Sequence, residues 1–340
     1  MAANTDDRRR SCKRSRQKKI SFYSGCIRFC EVISLLKLTH AVALFAVAVT
    51  LQAQTVPHVS GVVHTEAVDI GYESFGTQGG ALPVIAVNGG PGLSHAYMMM
   101  NGMWQQVALH RLVVFYDQRG TGASRHVQKG ASQDMDAQVA DLEAVRAHLG
   151  LEKVALVGDS YGGMLAMAYA AAHPEHVAKL ILSDSAPPAW KDIVHLLPQT
   201  FPDIEQQTDE EEKSLKANPD AAARAGLRNH FKMIFYSPEK RDAYMAQMGD
   251  LGFEPAVSEE VSQATEKLDL TAALPGFHFP VLVITGRYDM NVAPLTAWRM
   301  AHAIPGAKIV FFEKSGHLPS YEEPEKYRNV LESFLNDRQL

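Results

Sequence analysis

Val154-Ala155-Leu156-Val157-Gly158-Asp159-Ser160-Tyr161-Gly162-Gly163 is the stretch on which the reading of this chain turns. Its first four residues form an apolar run that reads as a buried strand, and the Ala- and Met-rich Tyr161–Ala172 that follows reads as a helix. Between them stands the pattern G-x-S-x-G, which carries meaning only in a strand–turn–helix context. Small residues at 158 and 162 let the chain turn sharply and lift the Ser160 hydroxyl off the sheet edge. The helix points its amino end at the same place, where it favours developing negative charge. An incidental serine in a Gly-rich turn would need neither flanking element.

Working outward, short apolar runs alternate with helical spacing. Val62–Tyr72 reads as an opening hairpin, and Val84–Val87, Leu112–Tyr116, Lys153–Val157, Lys179–Ser183, Val281–Thr285 and Lys308–Phe312 read as strands. Asp134–Leu149 places Val139, Leu142, Val145 and Leu149 on one helical face. This alternation predicts an α/β protein with a mostly parallel sheet covered by helices on both faces. Residues 187–275 break it. They begin Pro187-Pro188, carry the acidic run Asp209–Glu212 and contain no comparable strand. The expected organisation is a leader over 1–54, a first core part over 57–186, a helical cap over 187–275 and a second core part over 276–340.

A serine hydroxyl needs a base to take its proton. Of the histidines, His317 in Ser315-Gly316-His317 is the candidate, because it follows the last predicted strand and so falls on the same sheet edge as Ser160. A carboxylate must hold that imidazole in the right tautomer. Asp289, in Gly286-Arg287-Tyr288-Asp289 after the preceding strand, is preferred over the rival Asp184 at the end of Lys179–Ser183. The order Ser160, Asp289, His317 is the nucleophile–acid–base order of one class of serine hydrolases. An oxyanion needs two donors. The backbone N–H of Tyr161 is expected to be one. Gly90, in the loop Asn88-Gly89-Gly90-Pro91-Gly92, is expected to be the other, with Gly89 as fallback. Asp117 and Arg119, within Asp117-Gln118-Arg119-Gly120-Thr121-Gly122-Ala123-Ser124, are expected to pair and brace the loops beneath the site.

Composition narrows the choices further. With 340 residues, 46% hydrophobic and 21% charged, the chain is long enough for a sizeable core and is neither collagen-like nor wholly disordered. Residues 1–40 hold ten Lys/Arg against Asp6, Asp7 and Glu31; the remaining 23 basic and 35 acidic side chains leave the body at −12. An acidic body excludes nucleic acid as the expected partner. The basic run Arg8–Lys19, the apolar stretch Ala41–Leu51 and the small polar exit Gln52-Ala53-Gln54 have the layout of a signal peptide, cleaved near Ala53 or Gln54. The expected address is therefore periplasmic or secreted, or membrane-anchored if the segment is kept. Cys12, Cys26 and Cys30 all precede residue 54, so the body offers no disulfide, zinc site or cysteine nucleophile. No phosphate-loop lysine pattern or G-x-G-x-x-G follows a strand, and neither metal nor cofactor is expected.

Taken together, Asn88–His95, Asp117–Ser124, Gly158–Gly163, Gly286–Asp289 and Ser315–His317 resemble the α/β-hydrolase superfamily, and within it the prolyl iminopeptidase group of serine peptidases. The resemblance spans roughly 60–186 and 276–335 and departs at Asn88, where the group usually carries His. It implies a cofactor-free hydrolase that removes an amino-terminal residue, often proline, from short peptides or amides. It also implies cap carboxylates that hold the substrate's amino group. Glu205 and Glu254 are the candidates for that role, while the run 209–212 reads as a solvated face. The alternative on the same scaffold is an esterase or lactonase, which an apolar pocket lined by Met233, Phe235 and Met245 would favour.

Overall fold

Apolar runs too short for helices form the centre of the molecule. Val84–Val87 (β3) and Val113–Tyr116 (β4) are buried throughout, as are Val154–Asp159 (β5) and Val281–Gly286 (β7). The structure, a computed structural model, describes residues 55–340. The leader, its apolar stretch and the three cysteines lie outside the described residues.

These strands join His58–His64 (β1), Asp69–Phe75 (β2), Val177–Ser183 (β6) and Lys308–Phe312 (β8) in one eight-stranded sheet, ordered β1-β2-β4-β3-β5-β6-β7-β8. β1 and β2 pair antiparallel over their full lengths, so the opening hairpin is wider than 62–72. β2 also runs antiparallel to β4. The pairs from β4 through β8 are parallel, and parallel neighbours need crossovers on the faces. Met135–His148 supplies one, capped by the Asp134 side chain on the Ala137 N–H. Tyr161–Ala172 supplies another. It is buried from Tyr161 to Ala170, as expected for a helix apolar all round.

The strand order sets where chemistry can occur. The chain passes from β3 outward to β4, then returns to place β5 on the other side of β3. The strand ends diverge there, which opens a crevice at the carboxyl edge. Register places Val87 of β3 beside Gly158 of β5, so the Asn88–Gly92 loop and the Ser160 turn leave the sheet side by side. Gly162 makes this approach feasible, because a Cβ there would collide with the carbonyl oxygens of Val87 and Asn88.

Between β6 and β7 lie the helices Leu197–Thr200, Pro202–Ser214, Pro219–Met233, Pro238–Gln247 and Pro255–Thr265, with no strand among the described residues there. Proline opens four of them, at a position where its missing N–H costs nothing. A bridge between Ala189 and Asp269 ties the two ends of this stretch together. Among the described residues, no helix is long and apolar enough to cross a membrane.

Candidate active site

Ser160 occupies the turn between β5 and its helix with φ 52° and ψ −122°. A non-glycine residue held there stores about 1–3 kcal/mol of strain, tolerated because the surroundings over-determine it. Those surroundings are specific. The Ser160 N–H donates to the Ser183 carbonyl at 3.0 Å, and its own carbonyl accepts from the N–H groups of Gly163 and Ala186, both at 2.9 Å.

His317 reaches the same point from the loop after β8. Its backbone N–H donates to the Ile234 carbonyl at 2.8 Å. The Ser160 hydroxyl lies 3.1 Å from His317 Nε2, and His317 Nδ1 lies 2.7 Å from Asp289 Oδ2. The other oxygen of the fully buried Asp289 accepts the N–H groups of Asn291 at 2.8 Å and Val292 at 2.9 Å. With Asp289 acting only as an acceptor, Nδ1 carries the proton and Nε2 presents its lone pair to Ser160. The Asn291 side-chain amide, 3.1 Å from Nε2, faces that same lone pair. Sequence reasoning missed Asn291, and no local pattern marks it.

Asp184, the rival acid, does not hold the imidazole. Its carboxylate accepts the Gly286 N–H at 2.8 Å and the Ser183 hydroxyl at 3.2 Å. Burial, followed by the charge of Asp289, pushes its pKa well above the usual carboxylate range. Asp184, Asp289 and His317 bring polar atoms within 4.8 Å of one another, the spacing of a metal site. These atoms are, however, already engaged with each other, with Ser160 and with backbone N–H groups.

Electrostatics favour the base. Burial works to lower the pKa of His317 but is outweighed by the charge and hydrogen bond of Asp289 and by the charge of Asp159, leaving it raised. A base must be neutral to accept a proton. The acid limb of kcat/KM is therefore expected to fall with a midpoint above about 6.5, the ordinary histidine value. Initial rates from pH 5 to 9 check this, and a flat profile would contradict it. His230 faces the same cavity. Burial, then repulsion from His317 and His195, pushes its pKa down to about 3, so it stays neutral.

For the oxyanion, Gly90 lines the cavity beside Ser160. The Tyr161 N–H stands in the first helical turn, where it has no partner within the helix. The Tyr161 side chain turns into the core and donates to Gln138 Oε1 at 2.9 Å. The fallback Gly89 is set aside, because its N–H already donates to the Tyr97 hydroxyl at 2.6 Å. Asn88 braces the loop by donating to the carbonyls of Gly89 at 2.9 Å and Leu93 at 2.8 Å.

Asp117 and Arg119 do not pair with each other. Asp117 accepts from the backbone and ring of His95 at 3.0 and 2.8 Å and from the Ala123 N–H at 2.7 Å. Arg119 forms a two-pronged pair with Asp141 at 2.7 Å on each arm. Each braces the loops, but through a partner distant in sequence.

These groups open into a cavity of about 410 Å³, walled by Ser160, His317, Gly90, Tyr97 and Asp159 and, from the insertion, by Leu227, Phe231 and Phe253 among others. Neither Glu205 nor Glu254 forms part of its walls; Glu212 does. Glu205 and Glu212 are seven residues apart on helix Pro202–Ser214, so they share a face but stand about 10 Å apart along the axis. Glu254 starts a helix instead, where its backbone N–H donates to the Gly92 carbonyl at 2.9 Å. Met233, Phe235 and Met245 are absent from the walls. They pack in the core with Tyr244 and Phe231.

The family model for the alpha/beta hydrolase fold matches residues 83–324. Proline iminopeptidase of Lactobacillus delbrueckii subsp. bulgaricus is 32% identical over 74% of this chain and 89% of its own length. Proline iminopeptidase of Clostridium botulinum (strain Hall) is 30% identical over 76% and 91%. A thermophilic esterase from Thermogutta terrifontis superposes with a TM-score of 0.62 at 24% identity, covering 82% of this chain and 98% of that one; the likeness is one of fold. The chain belongs to the α/β-hydrolase fold family, in its proline iminopeptidase-like group.

Proposed function

We propose that the protein is a serine hydrolase that releases the amino-terminal residue, proline foremost, from short peptides and amides. The likeness to proline iminopeptidases over three quarters of the chain carries the choice of amide over ester. In the proposed reaction, His317 takes the Ser160 proton as Oγ attacks the scissile carbonyl. The N–H groups of Gly90 and Tyr161 hold the resulting oxyanion. His317 passes the proton to the leaving nitrogen, the C–N bond breaks, and an acyl-Ser160 ester remains. Water, deprotonated by His317, attacks that ester, and the proton returns to Oγ as the freed amino acid leaves.

Glu212 at the rim makes the cavity favourable for a substrate's ammonium group, and the neutral His230 does not oppose it. Export through the leader belongs to the same reading, on the basic-then-apolar make-up of residues 1–54.

Prolyl and alanyl arylamides, their N-acetylated forms and short aryl esters, assayed side by side, test the substrate class. The expected result is turnover of free-amino amides, with N-acetylation costing tenfold or more. Glu212→Gln is expected to raise KM for free-amino substrates about threefold to tenfold, the worth of a partly exposed charge contact, and to leave aryl ester hydrolysis unchanged. Turnover of esters alone would replace this reading with the esterase or lactonase.

A further inference from the structure

Two hydrogen bonds meet on one buried hydroxyl behind the catalytic serine. Tyr97 sits on the short turn His95–Met99 that follows the Asn88–Gly92 loop. Its hydroxyl accepts the Gly89 N–H at 2.6 Å and donates to Asp159 Oδ2. Gly89 immediately precedes Gly90, and Asp159 immediately precedes Ser160 and Tyr161. The tyrosine therefore crosslinks the ends of β3 and β5, the two segments that carry the two oxyanion donors.

We propose that Tyr97 is a positioning residue that fixes the distance and direction between the Gly90 and Tyr161 N–H groups. The proposal rests on the reading of Ser160 as nucleophile and adds to it the element that sets the oxyanion hole. Several observations carry it. Binding of the Gly89 N–H by Tyr97 turns that donor away from substrate and leaves the next N–H for the oxyanion. Gly89 is wedged in place, since a Cβ there would lie 2.8 Å from Ser160 Cβ, 2.9 Å from the Tyr97 hydroxyl and 3.0 Å from the Asp159 carbonyl. A shift of the loop is thus felt at the nucleophile.

The ring itself has little freedom. It is buried, meets Phe231 edge-on at 6.5 Å, and its backbone carbonyl accepts the Tyr244 hydroxyl at 3.4 Å. Asp159 is buried as well and has no cationic partner within ion-pair distance among the described residues, so the tyrosine hydroxyl is the side-chain donor it faces. A donor held on such a support is worth more than one on a free loop, because the transition state need not reorganise it.

The test compares Tyr97→Phe, Asp159→Leu and Asp159→Asn with the parent enzyme. Asn keeps a carbonyl oxygen for the Tyr97 hydroxyl, and Phe keeps the ring without the hydroxyl. Three quantities are measured: kcat, KM, and the inhibition constant of a phenylboronic acid, whose tetrahedral serine adduct places an oxygen in the oxyanion hole. Thermal unfolding verifies that each variant is folded. Tyr97→Phe and Asp159→Leu are expected to lose about 10–100-fold in kcat, less than deleting a donor outright, and to bind boronate weaker by a similar factor. KM should stay within about threefold, and Asp159→Asn should retain at least about a third of parent kcat.

Parent-like kcat in Tyr97→Phe would overturn the proposal. So would a loss of kcat with unchanged boronate affinity. If Asp159→Leu unfolds, Tyr97→Phe and Asp159→Asn decide the matter. A parent enzyme insensitive to boronate would instead reject the serine mechanism itself.

Discussion

Ser160→Ala lowers turnover by at least about 10⁴-fold while leaving the protein folded, if the hydroxyl at 160 is the attacking group. The variant keeps Cβ and the strained backbone at φ 52°, together with the backbone hydrogen bonds to Ser183, Gly163 and Ala186. It loses one oxygen, which faces His317 Nε2 at 3.1 Å and the cavity. Nothing in the core depends on that atom, so the unfolding midpoint should shift by no more than a few degrees. What activity survives comes from substrate binding and the oxyanion donors acting on water. Arylamide hydrolysis by purified variant, read beside its thermal melt, checks both halves of the expectation. Comparable rates in parent and variant would remove Ser160 from the mechanism.

The second large effect is expected at Asp289. In Asp289→Asn the amide oxygen satisfies the N–H groups of Asn291 and Val292, so the NH2 is turned toward His317 Nδ1. That nitrogen must then accept, the imidazole proton moves to Nε2, and the lone pair that should receive the serine proton is gone. A loss of about 10³–10⁴ in kcat follows, with KM little changed. Asp184→Asn gives the contrast. Burial and the charge of Asp289 raise the pKa of Asp184 and so favour its neutral form, for which an uncharged amide is a close substitute. Activity within about threefold of the parent is the expected result, measured on the same substrates. A reversed pattern, with Asp184→Asn crippled and Asp289→Asn active, would move the acid from the end of β7 to the end of β6.

Much of the scaffold was legible because buried parallel strands write themselves as apolar runs. Val84–Val87 and Lys308–Phe312 occur in the structure with the bounds their composition suggests. Most other strand bounds moved by a residue or two, as with β5, which continues through Gly158 and Asp159 because both still pair with β6, while the opening hairpin is wider at both ends. The candidate relay was legible for a related reason. Each of its members follows a strand end, and strand ends of one parallel sheet converge on one edge.

What could not be read depended on partners far away in sequence. Asp117 and Arg119, two residues apart in a loop, gave no sign that His95 and Asp141 would claim them. Helix Pro202–Ser214 buries no residue, so its sequence carries no apolar stripe to show which glutamate turns toward the cavity. The sequence favours Glu205 and puts Glu212 in a solvated run, and only the placement of the helix turns Glu212, not Glu205, toward the cavity. Tyr97 was quoted by no motif, yet its hydroxyl joins the two loops that the motifs did mark.

The most direct test of the whole account is covalent. The phosphorus of a fluorophosphonate is attacked, with loss of fluoride, by a serine made nucleophilic by its neighbours, and the adduct is read by intact mass and peptide mapping. The expected outcome is one label per chain, on Ser160, formed rapidly by the parent and not by His317→Ala. A parent protein that stays unlabelled, or carries its label on another residue, would contradict the account.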